Sequence, residues 1–163
     1  MTAQIHDDVT ALAATRGPLM GLDLGTKTIG VAVSDGLRMA ATGLETISRR
    51  KLAADAARLG ELARSRGVAG IVLGLPRNMD GSVGPRAQAT RAFAREIATR
   101  LALPVAYWDE RLSTVAAERT LLEADSSRKR RAEVIDTVAA VYILQGALDR
   151  LGAATSTERT GEP

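Results

Sequence analysis

Along the chain, apolar residues alternate between short runs and helical stripes, and the switches between the two mark the elements. Leu19 to Leu24 is an apolar run that holds one acid, Asp23, and reads as a buried strand. Gly25-Thr26-Lys27 makes a tight connection to a second strand, Thr28 to Ser34, rich in β-branched residues. Asp35-Gly36 is a hairpin signal, and Met39 to Ile47 follows as a third strand, giving an antiparallel meander. The period then changes. Leu52, Ala56, Leu59 and Ala63 lie at helical spacing within Lys51 to Arg66, and Gly67 ends that helix. Gly70 to Leu75 is a buried strand stopped by Pro76, and Arg77 to Gly84 is a polar loop. Pro85 suits the first turn of a helix that runs to about Leu101. Val105 to Trp108 is another strand, and Ser113 looks like the N-cap of a helix through Glu123. Asp125 to Arg131 reads as a basic loop before a long helix, Ala132 to Leu151. The order combines a three-stranded meander with crossover helices, so the pattern predicts a mixed α/β sheet with flanking helices.

Residues 1–17 lack a clear strand pattern apart from a helical turn at Val9 to Ala14, and read as an N-terminal extension. Residues 152–163 are small and polar and read as a disordered tail, leaving one domain over 18–151.

Composition narrows the chemistry. The 163 residues are 45% hydrophobic and only 2% aromatic, which argues against a nucleic-acid binder that stacks bases on rows of Phe or Tyr. Cysteine is absent, so disulfides, zinc–thiolate sites and thiol nucleophiles are excluded. The polar opening MTAQIHDDVT is unlike a signal peptide, and no apolar run reaches the length of a membrane span. The expectation is a soluble cytoplasmic protein with no membrane partner. Net charge is +3, carried mostly by arginine, which suits bidentate phosphate binding but also follows from base composition.

Three acids stand in apolar surroundings. Asp23 lies inside the first strand, where a bare buried carboxylate would cost several kcal/mol. A cation or an arginine partner would offset that, and a turn-capping Asp is the structural alternative. Glu110 follows the strand ending near Trp108, and alternation sets it opposite Asp109. A pair of solvated acids is the structural alternative here, and it suits Asp109 better. Asp136 shares a helical face with Ala139, Ala140 and Ile143. A favourable contact with the helix dipole explains it only in part, because that contact is weaker than the cost of burial. Three carboxylates that met at one sheet edge would repel one another unless cations sat among them. Oxygen-only ligands suit Mg²⁺ or Mn²⁺, and two such ions clamp the attacking and leaving oxygens of a phosphodiester. His6, the single histidine, lies outside the pattern and receives no role.

Arg128, Lys129, Arg130 and Arg131 precede the helix carrying Asp136, where four cations oppose the helix dipole. They read either as a solvated loop or as a phosphate-binding segment delivering a strand to the acids. Arg77 and Asn78 are further candidates for that task, and Lys27 and Arg111 are placed to steady a phosphate.

The stretch Gly21-Leu22-Asp23-Leu24-Gly25-Thr26-Lys27, with Ile29-Gly30-Val31-Ala32-Val33-Ser34-Asp35, resembles the opening of the YqgF family. These proteins are also described as Holliday junction resolvases and pre-16S rRNA nucleases. Gly74-Leu75-Pro76 with Met79-Asp80-Gly81-Ser82, then Asp109-Glu110-Arg111-Leu112-Ser113-Thr114, are further matches. Arg128-Lys129-Arg130 through Asp136, Ala139-Ala140 and Ile143-Leu144 completes the series in order. The resemblance implies an RNase H-like fold, a metal-binding catalytic set of Asp23, Glu110 and Asp136, and a role in maturing the 5′ end of 16S ribosomal RNA. A Holliday junction resolvase, acting as a dimer on branched DNA, is the first alternative, so the expected state is monomer or homodimer. A non-catalytic RNA-binding factor in ribosome assembly or transcription is the second, but leaves the three acids unexplained. Asp23-Leu24-Gly25-Thr26 also resembles the phosphate loop of sugar-kinase and actin-like ATPases, which need two such lobes where this chain has room for one.

Overall fold

The computed structural model describes residues 4–76, 80–82, 84–112 and 128–160, with the side chains of the last segment described over 137–154. The strands are β1 (Ile5–His6), β2 (Leu19–Leu24), β3 (Thr28–Ser34), β4 (Ala41–Ser48), β5 (Gly70–Leu75) and β6 (Val105–Asp109). The helices are α1 (Leu52–Arg66), α2 (Pro85–Leu101) and α3 (Arg128–Thr160), with a 3₁₀ turn at Val9–Ala14. One sheet runs in the order β1-β6-β5-β2-β3-β4. β2 pairs antiparallel with β3 and β3 with β4, while β2-β5, β5-β6 and β6-β1 pair in parallel. The sheet is therefore mixed, as the pattern predicts, with β2 shared between the meander and the parallel half.

Alternation along β2 divides the core into two layers. Met20 and Leu22 join the cluster that holds Leu59, Phe93 and Ile97 of α1 and α2. Leu19 joins the opposite cluster, with Ala140, Ile143, Leu144, Ala147 and Leu148 of α3. α1 and α2 thus cover one face and α3 the other. α1 stops at Gly67, whose φ of 65° is the left-handed conformation that glycine takes without a Cβ clash. α2 starts on Pro85, where the missing N–H has no intrahelical partner to lose.

α3 approaches the sheet at positions that lack side chains. A Cβ on Gly21 would stand 2.6 Å from Leu144 Cβ and 3.0 Å from the Ala140 carbonyl. On Gly43 it would overlap the Thr137 methyl group. From the other direction, Trp108 lies 2.6 Å from where a Cβ on Gly146 would be. Thr137 and Thr46 also share a hydroxyl hydrogen bond of 2.7 Å, and Gln145 accepts from the Ala41 N–H at 2.9 Å, so α3 is pinned at both ends of β4.

Several boundaries differ from the sequence pattern. Residues 5–6 form an edge strand beside β6, and Val9 and Leu12 are buried against α3. Such short elements carry too few residues to display a period. Arg38 ties this leader down. Its guanidinium donates to the carbonyls of Gly17 (2.8 Å) and Leu12 (3.0 Å) and to Thr15 Oγ1 (2.7 Å). The β3–β4 connection spans 35–40 rather than a two-residue turn, with Arg38 (φ 59°) as its left-handed residue and Asp35 accepting from the N–H groups of Met39 and Ala40. Residues 128–131, expected in a loop, belong to α3, and the helix continues past Leu151 to Thr160. Arginine and lysine are good helix formers, so a basic run is no barrier to the first turn. The helix expected over 113–123 lies outside the described residues.

Gly21→Ala is expected to lower stability by about 1–3 kcal/mol, because the new methyl group meets the α3 main chain, which must move as a unit. Urea unfolding checks this, and a midpoint equal to wild type would refute the close approach.

Candidate nucleic-acid site at the edge of the parallel strands

Asp23 is the acid the fold buries most deeply at this edge, at 2% exposure. It pairs across the sheet with Gly30 and shares the α3 face with Leu19 and Gly21. The parallel register Gly21–Val72 and Leu22–Leu73 sets Asp23 beside Gly74 on the neighbouring strand. Gly74 in turn pairs with Trp108 on β6.

Glu110 begins a short 3₁₀ turn, Glu110–Leu112, directly after β6. Its Oε1 lies 2.9 Å from where a Cβ on Gly74 would stand. The Glu110 carboxylate therefore folds back over Gly74, the residue next to Asp23. The absent side chain of Gly74 leaves room for the Glu110 carboxylate on the strand next to Asp23. A glycine within an otherwise apolar buried strand is a signal of close approach, and it was the clue in the sequence that periodicity passes over.

Asp136 belongs to the first turns of α3, one turn before Ala140, and its side chain lies outside the described residues. Its neighbour Thr137 bonds Thr46, which pairs with Gly30, which pairs with Asp23. The α3 backbone next to Asp136 is thus level with Asp23. From there α3 runs towards Ala41, so its N-terminus projects past the edge where β2, β5 and β6 end. Residues 128–131 stand about 9–14 Å further along that axis, at 1.5 Å per residue. Their side chains, with Arg77 and Asn78, lie outside the described residues.

Lys27 is exposed in the β2–β3 turn at the same edge. Arg49 braces that turn, its N–H donating to the Lys27 carbonyl at 2.8 Å and its guanidinium to the Gly25 carbonyl at 2.7 Å. Asp109, unlike Glu110, turns towards Arg111. The pair is bidentate, with Nη2 to Oδ2 at 2.6 Å and Nε at 3.1 Å from both oxygens. The Asp109 carboxylate raises the Arg111 pKa above its ordinary value. Asp80 is held below the usual carboxylate range, first by the Ser82 hydroxyl and N–H, with Arg111 adding to the effect.

Among the described residues no three metal-ligating side chains stand together. Two of the three candidate acids, Asp23 and Glu110, do stand on one face across Gly74. Their oxygen-only chemistry fits Mg²⁺ or Mn²⁺ and not a nitrogen- or sulfur-seeking metal.

An antiparallel meander joined to parallel strands, with acids at the strand ends and a helix crossing one face, defines the RNase H-like class. Two solved structures share that fold. One is the Thermus thermophilus RuvC in complex with a Holliday junction substrate, with TM-score 0.52 and 12% identity over 83% of this chain and 96% of that one. The other is the yeast mitochondrial Holliday junction resolvase, with TM-score 0.50 and 10% identity over 97% and 85%. Within that class the chain belongs to the RuvX family, described as Holliday junction resolvase, whose pattern matches residues 17–150. A relative from Cereibacter sphaeroides is 68% identical over 150 residues, covering 90% of this chain and 94% of its own. One from Roseobacter denitrificans is 66% identical over 147 residues, covering 89% and 90%. Both bear the name "Putative pre-16S rRNA nuclease".

Gly74→Ala tests the space that Glu110 takes. The added methyl would meet side-chain atoms, Ile143 Cδ1 at 2.5 Å and Cγ1 at 3.2 Å and Glu110 Oε1 at 2.9 Å, and no main chain. Ile143 is fully buried, so overpacking should cost about 1–3 kcal/mol and lower the melting temperature by several degrees while the chain still folds. Mn²⁺ affinity, read from quenching of the single tryptophan Trp108, should fall about tenfold or more. Unchanged Mn²⁺ affinity would show that the Glu110 carboxylate does not need its place over Gly74.

Proposed function

We propose that this chain is a cytoplasmic, divalent-metal-dependent nuclease that hydrolyses phosphodiester bonds and matures the 5′ end of pre-16S ribosomal RNA. The observation that carries the reading is the buried carboxylate of Asp23 beside a Glu110 carboxylate folded over Gly74. Two acids on one face on either side of Gly74 would favour a cation between them. The names borne by the relatives support the RNA substrate.

Asp23, Glu110 and Asp136 would hold one or two Mg²⁺ or Mn²⁺ ions. A bound ion supplies a water of lowered pKa and charge stabilisation at the leaving oxygen. The contribution of Asp23 is rigidity, since its strand is hydrogen-bonded on both sides and cannot shift without breaking the sheet. Glu110, at the start of a turn, closes over it from β6. Lys27, Arg111, Arg77 and Asn78 would take up phosphates flanking the scissile one. The turn Arg128-Lys129-Arg130-Arg131, projecting past the strand ends, would guide the rest of the strand by charge, in a salt-dependent way. The products would carry a 5′ phosphate and a 3′ hydroxyl.

Holliday junction resolution is the second reading, favoured by the description of the family. It needs two such sites, hence a homodimer, whereas RNA cleavage is open to a monomer. Both substrates should be offered side by side: a 5′-extended 16S precursor RNA and a four-way DNA junction, with Mg²⁺ or Mn²⁺. Wild type should cut the RNA only when metal is present, and Asp23→Asn, with an unchanged circular dichroism spectrum, should reduce cutting to background. Cutting of the junction alone would select the second reading. RNA bound but left intact would select a binding role in ribosome assembly, and full activity in Asp23→Asn would remove that residue from the site.

A further inference from the structure

The Asp109–Arg111 pair does more than close a turn. We infer that Asp109 is a positioning residue, holding the Arg111 guanidinium beside the loop that follows β5 as a fixed anchor for a phosphate of the bound strand; this rests on the nuclease reading above. Asp109 ends β6, where it pairs with Leu75 at the end of β5. Its carboxylate accepts the Arg111 main-chain N–H at 3.0 Å as well as the Nε and Nη2 edge of the guanidinium. Main chain and side chain of Arg111 are thus held by one group. The guanidinium also lies along the loop that follows β5: Nη1 is 3.4 Å from where a Cβ on Gly81 would stand. Gly81 has φ 85°, and the turn around it is closed by Ser82 donating to Asp80 through its N–H (2.9 Å) and hydroxyl (2.6 Å). Two loops from adjacent strand ends therefore flank Arg111, one residue from Glu110. A planar guanidinium held along one edge still presents its other edge to a second anion, which an ammonium group does not do in a fixed direction.

The balance of charge makes the role decidable. The pair is partly exposed, with side-chain exposures of 37% for Arg111 and 19% for Asp109, and exposed pairs add little to stability. Asp109 also sets a negative charge where a polyanion must approach. If Arg111 acted through charge alone, removing that negative charge would tighten binding. Only if Arg111 acts through a fixed position does losing Asp109 weaken it.

The test uses the full chain and a fluorescein-labelled 5′-extended 16S precursor RNA, with anisotropy measured in EDTA so that no cutting occurs. Asp109→Asn keeps an oxygen for the Arg111 N–H and loses the fork. Asp109→Asn and Arg111→Ala should each weaken binding by about threefold to tenfold, and the double variant should be no weaker than Arg111→Ala alone. Arg111→Lys, which keeps the charge and cannot fork, should resemble Arg111→Ala, and it reads the same role if Asp109→Asn folds poorly. In steady-state cleavage with Mg²⁺, Asp109→Asn should raise KM by a similar factor with kcat within about twofold. Equal or tighter binding by Asp109→Asn, strictly additive losses, or wild-type binding by Arg111→Lys would overturn the inference. Failure of the nuclease reading looks different: wild type would then cut no substrate even though the coupling between 109 and 111 persists.

Discussion

Everything at the acidic edge depends on how closely α3 lies against the sheet. A helix normally rests on side chains, but here Gly21 and Gly43 leave gaps that Leu144, the Ala140 carbonyl and Thr137 fill. The helix main chain comes down onto the strands, and the hydroxyl pair Thr46–Thr137 fixes its level along β4. One consequence is packing: the alanine-rich stripe of α3 buries a core almost without aromatic residues. Another is registry, because the turn carrying Asp136 is brought level with Asp23 and not one turn above or below it.

The same absence of a side chain recurs at Gly74, with a different result. There the space is taken by Ile143 from one side and by the Glu110 carboxylate from the other. An apolar core and a carboxylate therefore meet at a single glycine. The strand ends add the cations, with Lys27 in the β2–β3 turn and Arg111 after β6, while the first turn of α3 carries four more beyond the edge. Asp23 lies inside and Lys27 and Arg111 outside, so positive charge faces solvent at this edge.

The fold is shared with proteins that act on branched DNA, and close relatives are named for an RNA. A scaffold of this kind presents carboxylates to a phosphodiester and is indifferent to the sugar beside it. On the reading proposed above, choice of substrate would lie in what surrounds the acids: the first turn of α3, the loop after β5, and the guanidinium of Arg111. Anchors that act by fixed position discriminate strand geometry better than mobile charges do, since a mobile charge follows the phosphate wherever it lies.

The sequence by itself determined the succession of elements and the oddity of the acids. Continuous apolar runs marked β2 and β5 to the residue, a β-branched run marked β3, and Pro85 marked the start of α2, because those signals are local. Asp23 stood out because a charge inside an apolar run is costly wherever the run ends up. Only the tertiary structure decided the rest. The leader's two-residue strand has no period to read, and its place beside β6 depends on Arg38 reaching back to Leu12, Thr15 and Gly17. The basic run reads as a loop yet residues 128–131 form the first turn of α3, since Arg and Lys suit both. Alternation set Glu110 and Asp109 apart, but not what each would meet. Glu110, at the start of the turn after β6, lies over Gly74, while Asp109 at the strand end binds Arg111, because only Glu110 has a glycine beneath it.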